Sequence, residues 1–187
     1  VFCLKKQHLS LIAPKNSCRL SQNQVEYILG KIMKHKGTFV VIVLWVIALC
    51  GGAVTMDHLP WYNLLNKPSF TPPNYIFGIV WPLLYTLIAF SAILILRKGP
   101  DTRKKKQALT LFILQYIFNI LWGPLTFGCE SVSLGLYWIL ILDFLSVVTL
   151  LLFTRLHILS GILFLPYIIW LFFATILMQS IWSLNTL

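Results

Sequence analysis

The side chains best suited to chemistry stand in otherwise apolar stretches. Gln115, Asn119 and Trp122 follow one another at spacings of four and three, which puts them on one face of a helix. Tyr167, Trp170, Ala174 and Leu177 repeat at i, i+3, i+7 and i+10, and Trp81 and Tyr85 stand four apart. A carboxamide in hydrocarbon is costly unless it meets a partner or a cavity. Amides beside aromatic faces suit a flat, mostly apolar ligand that carries a few acceptors. The plainer alternative is adhesion between helices, worth about 0.6 kcal/mol per hydrogen bond on average. Asp143 is the one formal charge inside these stretches. A buried acid there is a candidate for a ligand or proton role; pairing with a polar neighbour, or protonation, is the alternative.

Catalytic signatures are missing. The sequence has no Walker loop, no GxGxxG and no GxSxG elbow. Cys3, Cys18, Cys50 and Cys129 show no CxxC spacing, and His8, His35, His58 and His157 form no HxxxH pair. No catalytic residue and no metal ligand is therefore assigned, and no cofactor is required.

The elements that must position these residues are membrane helices. Charged residues make up 11% of the 187-residue chain and hydrophobic ones 58%, against about 25% charged in a soluble domain. Five stretches, at about 38–55, 75–96, 108–127, 132–153 and 161–184, are long enough to span a bilayer. Lipid offers no partner to backbone groups, so each is helical. A β-barrel is excluded because the stretches are continuous rather than alternating. The fold class is all-α integral membrane, a bundle of five transmembrane helices. The net charge of +10 does not indicate nucleic acid, because the bases cluster outside the apolar stretches. Every Lys and Arg except Lys67 falls on one side of this topology, which places the N-terminus in the cytoplasm. Residues 1–36 form a basic, polar extension and 37–187 the membrane domain. Met33 directly precedes KHKG and the first span, so natural translation is expected to start there, with a transit peptide as the competing reading.

The connection between the first two spans is unusual. Residues 60–85 read PWYNLLNKPSFTPPNYIFGIVWPLLY. Pro60, Pro68, Pro72 and Pro73 fix φ and remove N–H donors, while Trp61, Tyr62 and Phe70 add apolar surface. A loop this stiff and this apolar reads as a lid folded over the bundle. A simple interfacial aromatic belt is the alternative.

These motifs resemble the TspO/translocator protein family, also called tryptophan-rich sensory proteins or peripheral-type benzodiazepine receptors. WYNLLNKPSFTPPNYIFGIVWPLLY is similar to the family pattern WYxxLxKPxWxPPxxxFxxxWxxLY. QYIFNILWGPLTFG is similar to QLxLNxxWxxxFFG, and PYIIWLFFATILMQSIWSLN to PYxxWxxFAxxLNxxIWxLN. The resemblance covers about residues 37–185. It implies a five-helix bundle, usually a homodimer, with a ligand cavity closed by the first loop. It implies binding of porphyrins such as protoporphyrin IX, or of aromatic amides, with roles in sensing, sequestration or transport. Carried over by motif, Trp61, Tyr62, Pro68, Pro72 and Pro73 form the lid, with Phe70 at its aromatic position, and Asn119, Trp122, Trp170 and Ala174 line the cavity. Trp81 and Tyr85 are family positions too, with packing as their alternative role, and Leu177 and Met178 complete the expected ligand-binding set, with helix packing as the alternative for Met178.

Three positions depart from the pattern. Phe70 stands where the family has tryptophan. The resemblance ascribes light-driven porphyrin breakdown in some bacterial members to that tryptophan together with the one at Trp170. Phenylalanine keeps a π-face but has no indole N–H and is harder to oxidise. Met178 replaces an asparagine, exchanging an amide for an adaptable apolar chain. Gln179 and Ser183 occupy the places of the tyrosine and base of a sterol-recognition pattern. The expected function is a membrane-embedded binding or sensory protein for a tetrapyrrole or similar flat hydrophobic ligand, and an enzyme is the less favoured reading. The alternatives are a light- and oxygen-dependent porphyrin-degrading enzyme and a small-molecule transporter. The expected partners are that ligand, the lipid bilayer and a second copy of the chain, in a bacterial cytoplasmic membrane rather than a mitochondrial one.

Overall fold

A computed structural model of the protein describes residues 45, 46, 55, 57–98, 100 and 102–186. All of them belong to one compact unit, residues 39–187. The basic extension lies outside the described residues. So does the first expected span, apart from Trp45, Val46 and Thr55. The described elements are α1 (Leu59–Leu64), α2 (Asn74–Lys98), α3 (Arg103–Gly128), α4 (Val132–Leu156) and α5 (Ile158–Asn185). Helices α2 to α5 are each long and apolar enough to cross a membrane. At 1.5 Å per residue each exceeds the ~30 Å hydrocarbon core. The protein is an all-α integral membrane bundle, with no strand among the described residues.

Two boundaries differ from those expected. Helix α3 begins at Arg103, well before the apolar stretch at 108, because Thr102 caps it: the Thr102 hydroxyl accepts from the Lys105 N–H at 3.3 Å. Hydropathy marks where lipid begins, whereas the cap marks where the helix begins. The connection after the first span also contains a short helix, α1, entered through Pro60 in its first turn, where a missing N–H costs nothing. At the other end of α3, the Glu130 N–H bonds to Phe127 O and the Ser131 N–H to Thr126 O, both at 3.0 Å. That is a Schellman turn. Its left-handed position, at φ 49°, is held by Glu130 instead of a glycine.

Helix α3 packs on α4, α4 on α5, and α5 on α2, whereas α2 and α3 meet only sparsely. The end of the bundle near Arg97 and Arg155 is solid. Phe112, Phe153 and Phe164 interlock there with centroids 5.7 to 6.4 Å apart, and Tyr167 closes on Phe164 at 5.3 Å. The Ser91 hydroxyl donates to Ser160 O at 2.7 Å and the Ser160 hydroxyl to Ser91 O at 2.8 Å, tying α2 to α5. A small residue likewise lets α5 pass close to α4. A Cβ on Gly161 would strike the Thr154 side chain.

Candidate functional site

Toward the opposite end, α2 and α3 separate around a cavity of about 480 Å³, a volume in the range of small-molecule sites. Helix α2 contributes Asn74, Phe77, Gly78, Trp81, Pro82 and Tyr85, a stripe at helical spacing. Helix α3 adds Asn119, Ile120, Trp122, Gly123 and Phe127, and α5 adds Ala174, Leu177, Met178 and Ile181. Leu59 and Tyr62 of α1 cover the end, and Trp45 and Thr55 complete the described wall.

The wall is apolar, with few polar points. Trp81 stacks on Tyr85 with centroids 5.4 Å apart. The Trp122 indole donates to Gly135 O at 3.0 Å, so the ring that lines the cavity is pinned to α4. Pro82 has no N–H, so the Gly78 carbonyl one turn earlier lacks its usual helical donor. That backbone acceptor stands among the wall residues.

A chain of hydrogen bonds forms the floor. The Tyr85 hydroxyl donates to Asn119 Oδ1 at 2.9 Å, and Asn119 Nδ2 donates to the Tyr167 hydroxyl at 2.9 Å. The Tyr167 hydroxyl donates onward to Gln115 Oε1 at 3.0 Å, which also accepts from the Ser146 hydroxyl at 3.3 Å. Four helices are joined through this layer, and Gln115 is completely buried in it. The amides on α3 thus act as adhesion and as lining at once: Gln115 binds helices together, while Asn119 does so and also reaches the cavity. The Gln115 Nε2 has no hydrogen-bond partner.

Asp143 lies elsewhere. The Thr175 hydroxyl donates to its Oδ2 at 2.7 Å, and it is absent from the cavity wall. The carboxyl joins α4 to α5 as a buried polar pair.

The cover over the cavity is fastened at several points. Phe127 is its hub, touched by Trp61 at 6.0 Å, Tyr62 at 5.6 Å and Trp122 at 6.0 Å between ring centroids. The Lys67 ammonium lies 4.6 Å from the Tyr62 ring centroid, and burial raises the pKa of the Tyr62 phenol. Asn185 at the end of α5 grips the backbone of Asn66 twice: Oδ1 accepts from the Asn66 N–H at 3.0 Å and Nδ2 donates to Asn66 O at 2.9 Å. His58 Nδ1 stands 3.5 Å from the Glu130 carboxylate at the other end of α1.

Of the residues singled out by sequence, Tyr62, Trp81, Tyr85, Asn119, Trp122, Ala174, Leu177 and Met178 meet around the cavity. Trp61 packs behind it on Phe127. Pro68, Phe70 and Pro72 lie in the connecting loop, away from the described wall. A tight turn there has Thr71 donating to Pro68 O through both its N–H, at 3.0 Å, and its hydroxyl, at 2.8 Å. Phe70 is 47% exposed. Trp170 is covered by Phe77 at 5.8 Å and Phe173 at 5.2 Å, and its buried indole N–H has no partner. Sequence reasoning did not single out Phe127 or Gly78 and Pro82 as wall residues. The α2 stripe extends through the latter pair at the same helical period. Among the described residues no cluster of His, Cys, Asp or Glu could hold a metal ion.

The described helices and the aromatic cavity define a class: a polytopic α-helical membrane protein with a covered intramembrane pocket. Residues 39–183 match the TspO/MBR family model, and the chain belongs to that family. It is 36% identical to protein CrtK of Rhodobacter capsulatus over 76% of this chain and 91% of that protein. It is 32% identical to the tryptophan-rich sensory protein of Cereibacter sphaeroides over 72% and 85%. It is 31% identical to the translocator protein of Homo sapiens over 69% and 77%.

Proposed function

We propose that the protein binds a tetrapyrrole of the protoporphyrin IX kind, or a similarly flat hydrophobic ligand, within the membrane and acts in sensing, sequestration or transfer. The single observation that carries this reading is the cavity between α2 and α3. It has aromatic faces on its sides, an Asn119–Tyr85 pair on its floor and Tyr62 over its mouth. A flat conjugated ring would slide between the Trp81 and Trp122 faces, and a polar substituent would compete for Asn119. Prolines in the cover reduce the freedom lost on binding. The words sensory and translocator in the relatives' names agree with a ligand-responsive role.

In this reading the chain works as a homodimer in a bacterial cytoplasmic membrane, with its N-terminus in the cytoplasm. The site residues are Trp81, Tyr85, Asn119, Trp122, Ala174, Leu177 and Met178 in the cavity. Tyr62 serves as its cover, Trp61, Pro68, Phe70 and Pro72 as the support of that cover, and Trp170 as an aromatic flank beyond Phe77. Binding is favoured over porphyrin breakdown because the exposed Phe70 supplies no oxidisable indole.

Titration of purified protein with protoporphyrin IX, followed by the porphyrin absorbance, tests the cavity. Asn119→Ala and Trp122→Ala should each weaken binding about tenfold or more, a loss of one hydrogen bond or one stacking face. Equal affinity in the parent and both variants would remove the proposed site. Illumination of the same samples separates the enzyme reading: a protein-dependent product band would favour catalysis, and bleaching equal to that of free porphyrin would favour binding alone.

A further inference from the structure

A second depression lies on the flank of the bundle, between the first turns of α3 and the last turns of α4. Arg103, Lys106, Gln107, Thr110 and Leu111 line it from α3, and Leu152 faces them from α4. The α3 residues follow at i, i+3, i+4, i+7 and i+8, so they form one stripe about 12 Å long. Chemistry changes steadily along that stripe. Two cations stand at the mouth, two uncharged polar side chains follow, and leucines close the inner end. The mouth coincides with the first turn of a membrane-crossing helix, so it sits at headgroup depth and its floor enters the hydrocarbon.

We infer that this groove is a binding site for an anionic phospholipid, its phosphate held by Arg103 and Lys106, its ester region by Gln107 and Thr110, and an acyl chain by Leu111 and Leu152. Basic pockets between helices at the membrane surface take such headgroups. The local bases are not equivalent. Lys105 Nζ donates to Leu96 O at 2.9 Å and so covers the end of α2, while Lys104 is exposed and off the groove. Arg103 and Lys106 have no ion-pair partner among the described residues. The N-terminal end of α3 adds a positive dipole to theirs. A soluble phosphate would use only the mouth, whereas the apolar inner end selects a lipid.

The test measures the thermal unfolding midpoint in neutral detergent against added phosphatidylglycerol, phosphatidylcholine or inorganic phosphate. Phosphatidylglycerol should raise the midpoint at lower concentration than phosphatidylcholine, and phosphate should not reproduce the effect. Arg103→Gln with Lys106→Gln should raise the phosphatidylglycerol concentration needed on the order of tenfold, two surface cations being removed, and leave the phosphatidylcholine response as it was. Lys104→Gln should keep the preference. Equal responses to the two lipids in the parent would overturn the site. So would an equal loss in Lys104→Gln, which would mean diffuse charge only, or a full effect from phosphate alone.

Discussion

Phe112, Phe153 and Phe164 at one end of the bundle, and Trp81, Trp122 and Phe127 at the other, are both aromatic clusters set among membrane helices. The first packs ring on ring, and the second lines a cavity of about 480 Å³. The difference is in what the helices do around the rings. At the solid end, Ser91, Ser160 and Gly161 let backbones approach, and phenylalanines with no polar atom to satisfy fill the space that remains, Phe112 stacked on Phe153 and Phe164 edge-on to both. At the hollow end, α2 and α3, which meet only sparsely, line the cavity together, and a hydrogen bond from the Trp122 indole to α4 holds that ring at the wall. An aromatic side chain fills a gap between helices that close on each other. It lines a gap when its polar edge is tied elsewhere.

The sharpest way to break this contrast is to truncate one ring in each half. Phe164 is fully buried among Phe112, Phe153 and Tyr167, so Phe164→Ala should cost about 4 kcal/mol of stability, transfer and cavity contributions together. Phe77 already borders empty space on one side, and Phe77→Ala should cost about half of that, since absent neighbours cannot be lost. Thermal or denaturant unfolding in detergent measures both. Equal losses would mean that the hollow end is packed as tightly as the solid one.

The polar layer divides the halves, and its two tyrosines sharpen the comparison. Tyr167→Phe removes the hydroxyl that accepts from Asn119 and donates to Gln115. Gln115 Oε1 keeps the Ser146 hydroxyl, but the Nδ2 of the buried Asn119 is left unpaired, so the cost should be about 2 kcal/mol. Tyr85→Phe frees only the cavity-facing Asn119 Oδ1, which water or ligand can reach, and should cost about 1 kcal/mol or less. The reverse ranking would put the floor of the cavity at Tyr167.

A smaller effect, of opposite sign, is expected at the cover. Glu130 holds a left-handed position that favours glycine. Glu130→Gly should stabilise the fold by about 1 kcal/mol through relief of that strain, reduced by the loss of a partly exposed contact with His58. A lower unfolding midpoint would show that the His58 contact outweighs the strain.

Much of this was legible in the chain. Apolar length fixed the spans at α2 to α5, and helical spacing put Trp81 with Tyr85, Asn119 with Trp122, and Ala174 with Leu177 on common faces. Four things were not legible, each for a physical reason. Spacing gives a face but not a depth or a neighbour, so Trp170 shares a stripe with Ala174 and yet is covered by Phe77 and Phe173. The prolines at 68 and 72 announce stiffness, but whether the stiff loop lies over the cavity or beside it depends on the turn at Thr71 and the grip of Asn185 on Asn66. Phe127 gains its role from Trp61 and Tyr62 on α1, far from it in sequence, and from Trp122 on its own helix. Gly78 and Pro82 carry no side chain that suggests chemistry, although they form wall.

Gly78 offers the test with the smallest expected effect on folding and the clearest effect on the site. A Cβ added there meets nothing within 4 Å, whereas one added at Gly135 would lie 2.5 Å from the Thr126 side chain. Gly78→Leu should therefore leave the unfolding midpoint unchanged or slightly higher, since leucine is the better helix former by up to about 1 kcal/mol. The same side chain would occupy the space between the α2 stripe and Trp122, and protoporphyrin IX affinity should fall by at least about tenfold. Gly135→Ala should do the opposite, lowering stability through the clash while leaving the cavity wall in place. If Gly78→Leu binds porphyrin as the parent does, the ligand does not use the space between α2 and α3. If it unfolds the protein, that space is not empty.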